Sequence, residues 1–335
     1  MSRELSRKRR NIIVIGGSAG SLEPLRRILT DLTPDLDAAI FITQHMGSRH
    51  ATKLHEILGT DSGLPVLPAE DGGRICEGEV RIAQPDQHLV LDSETVHLTR
   101  GPRENQARPA IDPLFRTAAA HHQARVIAVL LSGYLSDGVA GLSAVQKCGG
   151  LTIVQDPDAA LVRDMPQNAL HHVAPDFTGD AGRIAELLNQ LAGQHTADPG
   201  PVPETILAEA RMALGRGLSI PAEDRMGKRS PFACPSCNGN LWEIDDEILR
   251  YRCHVGHAYT ADALSEAQAG RLDEALWAAL RGLRERTELL RRLAREGREA
   301  GRGSSVQGFE TSAHEIEAQA AVLENFILTR AREQD

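Results

Sequence analysis

Short apolar runs alternate with helix-type patterns over about the first 190 residues of the chain. Four of these runs lead into segments of helical periodicity: 11–16, 39–44, 125–131 and 151–154. Strands that alternate with helices are typical of βαβ units, in which a helix connects two parallel strands. Two further runs, 88–91 and 96–98, are joined by a short polar turn and predict a β-hairpin. We therefore predict an α/β fold with a doubly wound, mostly parallel sheet and a β-hairpin excursion.

The pattern changes after residue 194. The connecting helices before that point are expected at about 21–31, 50–59, 112–122, 137–147 and 180–192. Residues 11–194 are thus predicted to form one domain, and the proline-containing stretch 195–230 to form a linker with a short helix. Residues 231–335 open with a cysteine cluster and continue into two helical patterns, 261–299 and about 309–333. This arrangement predicts a small zinc-ribbon-like unit followed by an antiparallel helical hairpin.

Composition narrows the class of protein. A chain of 335 residues is too long for one ordinary core, and 41% hydrophobic with 25% charged residues is typical of a globular protein. The net charge of −9 and the aromatic content of 3% argue against nucleic-acid binding. No apolar run reaches the length of a membrane span, so no membrane insertion is expected.

Three residues with catalytic side chains follow predicted strands directly. Ser18 follows the first strand, His45 the second, and Asp137 the later run 125–131. The carboxyl ends of parallel strands line one crevice, where ligands bind. A serine hydroxyl needs a base, and the base needs a carboxylate that fixes its tautomer. We therefore predict that these three residues meet as a Ser-His-Asp triad.

The glycine-rich turn around Ser18 admits two interpretations. Residues 16–20 have the spacing of a nucleophile elbow, although the order Ser, His, Asp differs from that of the α/β-hydrolases. A glycine turn after a first strand is also typical of a phosphate or dinucleotide loop. The third glycine of the dinucleotide motif is missing, and the second strand ends in Gln44-His45 rather than in an acid. The triad interpretation is therefore favoured.

Six motifs in order resemble the catalytic domain of the bacterial chemotaxis protein-glutamate methylesterase. They are 17–20, 43–46, 80–89, 108–115, 131–142, and 154–157 with 165–166. The resemblance covers about residues 11–190. It implies hydrolysis of glutamate methyl esters on chemoreceptors with release of methanol, and deamidation of receptor glutamines.

The resemblance also implies roles for individual residues. Ser18 is then the nucleophile, His45 the general base and acid, and Asp137 the orienting carboxylate. Backbone N–H groups at Ala19 and Tyr134 are expected to bind the oxyanion, although the family's usual residues there are Ser or Thr and Met. The candidates for the substrate groove are Gln84, Asp86, His88, Arg108 and Asp112. The family's usual N-terminal receiver domain has no counterpart in the sequence, so phosphorylation control in cis is not expected.

The cysteine cluster predicts a metal site. Cys234, Cys237, Cys253 and His257 form the pattern C-x2-C-x15-C-x3-H, and three thiolates with one imidazole suit tetrahedral zinc. His254 is an alternative ligand, and a metal-free ribbon is the alternative interpretation of the motif. Three of the five cysteines at metal spacing are typical of a cytoplasmic protein rather than of a disulfide framework.

The sequence leaves three function classes open. The first is an esterase on a methyl-accepting chemoreceptor or another methylated signalling protein, with no catalytic cofactor. The second is a non-catalytic signalling or binding protein that keeps the same fold. The third is an esterase with the same chemistry on a non-receptor protein. In each case the helical hairpin is expected to contact a protein partner.

Overall fold

The computed structural model describes residues 9–47, 53–198, 200–216, 227–244, 248–301 and 303–332. The chain divides into two compact units, Met1–Leu264 and Ser265–Asp335. The first residues of the predicted helix 50–59, part of the predicted linker and residue 333 lie outside the described residues. The domain borders expected at 194/195 and 230/231 stay predictions.

Thirteen strands are found in the described part of the chain. They are β1 (Ile12–Gly17), β2 (Ala39–Gln44), β3 (Val66–Pro68), β4 (Val80–Ile82), β5 (His88–Leu91), β6 (Val96–Thr99), β7 (Val126–Leu130), β8 (Leu151–Gln155), β9 (Phe177–Gly179), β10 (Lys228–Ala233), β11 (Asn240–Ile244), β12 (Arg250–Cys253) and β13 (Ala258–Thr260). The helices are α1 (Leu22–Asp31), α2 (Leu54–Gly59), α3 (Ile111–His122), α4 (Val139–Lys147), α5 (Asp164–His172), α6 (Ala181–Leu191), α7 (Glu204–Ala213), α8 (Ala261–Glu299) and α9 (Gly303–Arg332).

A seven-stranded sheet in the order β3-β4-β2-β1-β7-β8-β9 forms the centre of the first unit, and every pair in it is parallel. The side chains of β1 are all apolar before its glycines and are buried on both faces of the sheet. Ile12 and Val14 pack into a core that α3 shares, whereas Ile13 and Ile15 pack with α1 and α6. Such a continuous apolar run is expected where helices cover both faces. The predicted doubly wound sheet is confirmed, and β5 and β6 form the predicted antiparallel hairpin.

The topology places the ends of β2, β1 and β7 side by side. The chain moves from β1 to β2 on one side of the sheet and later returns to β7 on the other side. The strand order therefore reverses at β1, and the crevice outside such a switch point is where open α/β sheets bind ligands. Ser18, His45 and Asp137 lie in the three segments that follow these strands.

Several elements differ from the expectation. α5 and β9 were not predicted, because α5 has only nine residues and carries Pro166 in its first turn, and β9 has only three. The ribbon has four antiparallel strands, β10-β11-β12-β13: β11 and β12 are the two short strands expected between the ligand pairs, and β10 and β13, which were not predicted, flank them. α9 begins at Gly303, six residues before the predicted start, because the glycine and serine residues there form its first turn.

The second unit consists of most of α8 together with α9, which run antiparallel. Leu280, Ala320 and Ile327 form its buried core. Three ion pairs connect the helices at intervals of seven residues: Arg284–Glu324, Arg291–Glu317 and Arg298–Glu310. A seven-residue interval is the repeat of a coiled coil. No helix in the described residues combines the length and the apolar character that crossing a bilayer requires.

Candidate active site

Ser18 lies in the tight turn between β1 and α1. Its backbone N–H donates to the carbonyl oxygen of Ser132 at 2.9 Å, and its own carbonyl oxygen accepts from Gln44 Nε2 at 2.7 Å. The Ser21 hydroxyl also lies against that carbonyl oxygen, at 2.6 Å. Gly20 has a φ of 79°, a conformation that glycine adopts without the strain of a Cβ. The turn is therefore fixed from three directions, and the Ser18 hydroxyl is held at the end of the strand.

His45 bridges the other two predicted triad residues. Its backbone N–H donates to the carbonyl oxygen of Gly17 at 3.0 Å, which ties the end of β2 to the end of β1. The ring places Nδ1 3.1 Å from Ser18 Oγ and Nε2 2.7 Å from Asp137 Oδ2. An ionised carboxylate only accepts hydrogen bonds, so the proton of a neutral ring belongs on Nε2. Nδ1 is then the acceptor that faces the serine hydroxyl.

Asp137 is buried, with a side chain only 3% exposed. Oδ2 accepts from His45 and from the backbone N–H of Ile111 at 2.6 Å, and Oδ1 accepts from Asn105 Nδ2 at 2.9 Å and the Asp112 N–H at 3.3 Å. Burial alone raises a carboxyl pKa, but the bond from His45 and the N–H donors of Ile111 and Asn105 outweigh it. The pKa of Asp137 is therefore held below its ordinary value. The carboxylate stays ionised and keeps the imidazole oriented.

The two predicted oxyanion donors have free backbone N–H groups. Within the described residues, neither the Ala19 N–H nor the Tyr134 N–H has a hydrogen-bond partner, whereas the Ser18 N–H is already engaged. Gly133, next to Tyr134, approaches Ser18 so closely that a Cβ there would lie 2.7 Å from Ser18 Cβ. Free N–H groups beside a nucleophile are the donors that an oxyanion requires.

The five predicted groove residues fall into two sets. Asp86 and Arg108 form an ion pair, with Arg108 Nη2 2.7 Å from Asp86 Oδ1, and both are half-buried. Gln84 is also half-buried, and its Nε2 donates weakly to the Ile82 carbonyl oxygen at 3.3 Å. His88 and Asp112 are buried instead. Both ring nitrogens of His88 are engaged by backbone groups, and Asp112 Oδ1 accepts from the N–H groups of Gly138 and Gly141. These two side chains lie beneath the surface and support the site rather than line it.

Three residues of the site were missed by the sequence reasoning. Gln44 and Ser21 fix the serine turn, and Asn105 donates to the triad carboxylate. Gln44 precedes a triad residue directly, which is a signal that could have identified it. Asn105 lies in an irregular loop, where no periodicity points to it.

The four predicted metal ligands converge in the ribbon. Their donor atoms all lie within 4.8 Å of one another. Cys237 Sγ and Cys253 Sγ are 3.7 Å apart, and His257 Nδ1 lies 3.4 Å from Cys253 Sγ and 3.8 Å from Cys234 Sγ. Two sulfurs that bind one tetrahedral zinc at about 2.3 Å are about 3.8 Å apart. The cluster thus has the dimensions of a closed tetrahedral site with four protein ligands.

Backbone hydrogen bonds brace this cluster. The Cys234 N–H donates to the Gly239 carbonyl oxygen at 2.7 Å, and the Cys253 N–H donates to the His257 carbonyl oxygen at 3.0 Å. Both knuckles are therefore closed as turns. His254, the alternative ligand, packs its ring against Trp242 instead, with centroids 3.8 Å apart.

Comparison with known proteins gives one family match. The family model described as CheB methylesterase matches residues 13–188. The match contains Ser18, His45 and Asp137 and ends before α7, the ribbon and the helical pair.

Individual relatives likewise match only about half of this chain. A protein of Leptospira interrogans is 36% identical over 180 residues, which are 53% of this chain and 93% of that protein. Protein-glutamate methylesterase/protein-glutamine glutaminase 2 of Methanosarcina acetivorans is 32% identical over 192 residues, 55% of this chain and 54% of that protein. The chain thus spans about half the length of the Methanosarcina relative. The crystal structure of the Thermotoga maritima CheB methylesterase catalytic domain superposes with a TM-score of 0.54 at 33% identity, covering 56% of this chain and all of that one.

Proposed function

The chain belongs to the CheB methylesterase family, and we propose that it hydrolyses glutamate methyl esters on a methyl-accepting chemoreceptor or another methylated signalling protein. One observation carries the proposal: His45 lies within hydrogen-bond distance of both Ser18 Oγ and the buried Asp137 carboxylate. This is the arrangement that serine-based acyl transfer requires.

The reaction follows from the geometry. Ser18 Oγ attacks the ester carbonyl carbon while His45 Nδ1 takes the hydroxyl proton. The N–H groups of Ala19 and Tyr134 receive the oxyanion. His45 then returns the proton to the departing methoxy oxygen, methanol leaves, and a serine ester remains. Water attacks that ester with His45 again as the base, which frees Ser18 and a glutamate carboxylate. A glutamine side chain enters the same sequence with ammonia as the leaving group.

Exposed apolar side chains flank the mouth of the site. Tyr134 is 61% exposed and follows Gly133 in the chain, and Leu161 is 82% exposed beside Gly20. Large apolar side chains are usually buried, so an exposed pair beside a nucleophile supports contact with a macromolecular substrate. A helical segment that carries a methylated glutamate would offer such a substrate, with apolar side chains beside the glutamate available to contact Tyr134 and Leu161.

Methanol release tests the proposal. Membranes carrying a methylated chemoreceptor are incubated with the wild type, with Ser18→Ala and with Ser93→Ala as a matched control. Ser93 is exposed in the turn between β5 and β6, so its variant is expected to match the wild type. Ser18→Ala is expected to release no more methanol than membranes alone. Equal release by Ser18→Ala and the wild type contradicts the proposal. Reaction of Ser18 with a fluorophosphonate but no methanol release from receptors favours the non-receptor esterase.

A structural zinc ion in the ribbon is part of the proposal. Cys234, Cys237, Cys253 and His257 would hold it, and the fit of their donor distances to tetrahedral zinc supports this assignment. With four protein ligands such a site is closed, so the ion would stabilise the ribbon and take no part in the hydrolysis.

The predicted protein partner of the helical pair also stays a proposal. Six large apolar side chains of the second unit are exposed and support it: Leu272, Trp277, Leu289, Val322, Phe326 and Leu328. Cytoplasmic location stays a prediction from the cysteine spacing.

A further inference from the structure

Asn105 joins the triad to the ribbon. Its side-chain amide donates one hydrogen to Asp137 Oδ1 and the other to Asp112 Oδ2, both at 2.9 Å. Its Oδ1 accepts from the backbone N–H of Thr260 at 2.9 Å, and its own N–H donates to the Ala258 carbonyl oxygen at 2.8 Å. The residue is 8% exposed. Every polar group of the side chain is thus used, with two bonds on the triad side and one on the ribbon side.

A second contact supports the same connection. Ser136 immediately precedes Asp137, and its Oγ lies 2.9 Å from Oγ1 of Thr260. β13 (Ala258–Thr260) is therefore connected to the triad carboxylate by two routes, through Asn105 and through the residue that precedes Asp137 in sequence. β13 also directly follows His257, one of the four clustered donors.

Buried charges hold β12 against the same loop. Glu104, the neighbour of Asn105, accepts from Arg252 Nη1 at 3.2 Å and from Arg116 Nη2 of α3 at 2.8 Å. Glu209 of α7 accepts from Arg252 Nη2 at 2.6 Å and pairs with Arg250. All five charged side chains are buried. Buried charges tolerate little displacement, because a lost partner leaves a desolvated ion. The ribbon is thus fixed to the residues that hold Asp137.

We propose that Asn105 is a positioning residue through which β13 orients the triad carboxylate, so that a segment outside the family-matched residues sets the activity of the esterase. This inference rests on the proposed function. The Thr260 N–H and the two carboxyl groups together fix which end of the Asn105 amide faces Asp137. Without the bond from Thr260 the amide loses its anchor on the ribbon side and holds Asp137 Oδ1 less firmly. The Asp112 N–H at 3.3 Å then remains as the better-anchored donor to that oxygen, and the hydrogen bond between the carboxylate and His45 weakens.

The first experiment compares Asn105→Ala with Gln106→Ala. Both positions have a positive φ, 49° and 64°, so both alanine variants carry a similar backbone strain. Gln106 contacts none of the three triad residues, and among the residues that the structure describes its side chain makes only a long hydrogen bond, to the Ala263 carbonyl oxygen at 3.5 Å, so it serves as the matched control. Asn105→Ala is expected to lower kcat about 10- to 100-fold, the effect of losing a hydrogen bond to a charged group, with KM unchanged. Gln106→Ala is expected to keep the wild-type kcat.

Two further readouts need no receptor. The rate at which a fluorophosphonate labels Ser18 is expected to fall in parallel with kcat. The far-downfield proton resonance of the His45–Asp137 hydrogen bond is expected to shift or broaden in Asn105→Ala and to stay in place in Gln106→Ala. A purely structural role would leave this resonance where the wild type has it. An unchanged resonance and labelling rate in folded Asn105→Ala would overturn the proposal.

The ribbon side of the connection is tested with Thr260 and with chelation. Thr260→Val removes the hydroxyl that contacts Ser136, and Thr260→Ser keeps it. The valine variant is expected to slow labelling about 2- to 10-fold, the effect of a neutral hydrogen bond, and the serine variant to restore the rate. This pair tests the route from β13 through Ser136 even if Asn105→Ala does not fold, and equal labelling rates for the wild type and Thr260→Val would overturn the claim that β13 orients the triad carboxylate.

The last experiment adds a metal chelator to the full chain. The chelator is expected to slow the labelling of Ser18 in the wild type and to slow it little further in Asn105→Ala, because both changes break the same connection. Independent, multiplying effects would overturn the proposal. These outcomes can be distinguished from a failure of the proposed function. If the enzyme releases no methanol from receptors but its labelling at Ser18 still depends on the ribbon, only the proposed substrate is refuted.

Discussion

Asp112 and Asp137 share one hydrogen-bond donor, the side-chain amide of Asn105, although both carboxyl groups are buried. Their remaining partners differ. Asp137 accepts hydrogen bonds from His45 and from two backbone N–H groups, whereas Asp112 accepts hydrogen bonds from the N–H groups of Gly138 and Gly141 at the start of α4. The two pKa values consequently move apart: that of Asp137 falls, and burial together with the charge of Asp137 raises the pKa of Asp112 to about 7.

This separation predicts a pH-dependent stability that Asp112→Asn removes. The folded protein retains the Asp112 proton up to about pH 7, whereas the unfolded chain releases it near the ordinary value of 3.8. The stabilisation that the protonated Asp112 contributes to the folded state is therefore fully present below about pH 4 and is lost as the pH rises through 7. The amide of the variant cannot titrate, so its free energy of unfolding, relative to the wild type, should rise between about pH 4.5 and 8. Denaturant unfolding followed by circular dichroism measures it.

The slope with pH is the informative quantity, because any fixed cost of the new amide cancels between two pH values. Asp180→Asn offers a control for the substitution chemistry, since Asp180 is a helix cap at the surface. Parallel pH curves for the wild type and Asp112→Asn would contradict the raised pKa.

Asp137→Asn is expected to lower kcat about 10³- to 10⁴-fold without unfolding the protein. An asparagine in place of the carboxylate presents an N–H group where His45 Nε2 now donates at 2.7 Å. The ring then carries its proton on Nδ1, which faces Ser18 and can no longer accept the hydroxyl proton. Methanol release and fluorophosphonate labelling measure the loss. Wild-type labelling by a folded Asp137→Asn would show that the carboxylate does not orient the base.

The sequence predicted the centre of this site because the signals there are local. Apolar runs identify β1, β2 and β7, and each is followed closely by a residue with catalytic chemistry. Parallel strands then bring Ser18 and His45 to one edge regardless of how the rest of the chain folds. The cluster of Cys234, Cys237, Cys253 and His257 was predicted for the same reason, since these residues lie in two short motifs.

The support of the site was not predicted, because it depends on contacts between distant segments. Asn105 and Thr260 are 155 residues apart, and each looks like an ordinary loop or strand residue. Glu209 was expected within a short linker helix, where nothing indicates that it meets Arg250 and Arg252 in the interior. These charged side chains come together only when the ribbon packs on α3 and α7, so the spacing of residues along the sequence does not predict that they are buried.

Glu209→Gln is expected to destabilise the first unit by about 3 to 5 kcal/mol, the usual cost of removing one partner from a buried ion pair. Arg250 and Arg252 would lose the carboxylate that both now contact. Glu186→Gln is the matched control: its partner Arg183 and the glutamate are both exposed, and solvent screens the pair, so little change is expected. Thermal and denaturant unfolding measure both variants. Equal stabilities would show that the cluster contributes no net stabilisation.

The same cluster predicts a loss of stability in acid. The arginines hold the pKa of Glu104 and Glu209 below the ordinary glutamate value against the opposing effect of burial. Their stabilisation is therefore present above that value and is lost as the pH falls through the lowered pKa values. Trp242 lies in the ribbon, and a Trp277→Phe background removes the other tryptophan. In that background the fluorescence of Trp242, measured as the pH is lowered, should report the release of the ribbon from α3 and α7. The transition is expected at higher pH in Arg252→Met than with Arg252 intact, and coincident transitions would contradict the assignment.

Zinc removal is expected to loosen the ribbon while the seven-stranded sheet stays folded. The protein purified without chelator should contain one zinc per chain by mass spectrometry, and Cys234→Ser should contain much less, because a three-ligand site binds the ion weakly. Cys148→Ser is the matched control, since Cys148 is buried in the sheet core and away from the cluster. In the same Trp277→Phe background, chelation should change the Trp242 fluorescence of the parent and of Cys148→Ser but not that of Cys234→Ser. The absence of zinc from the wild type, with Cys234→Ser equal to it in ribbon stability, would establish the metal-free ribbon instead.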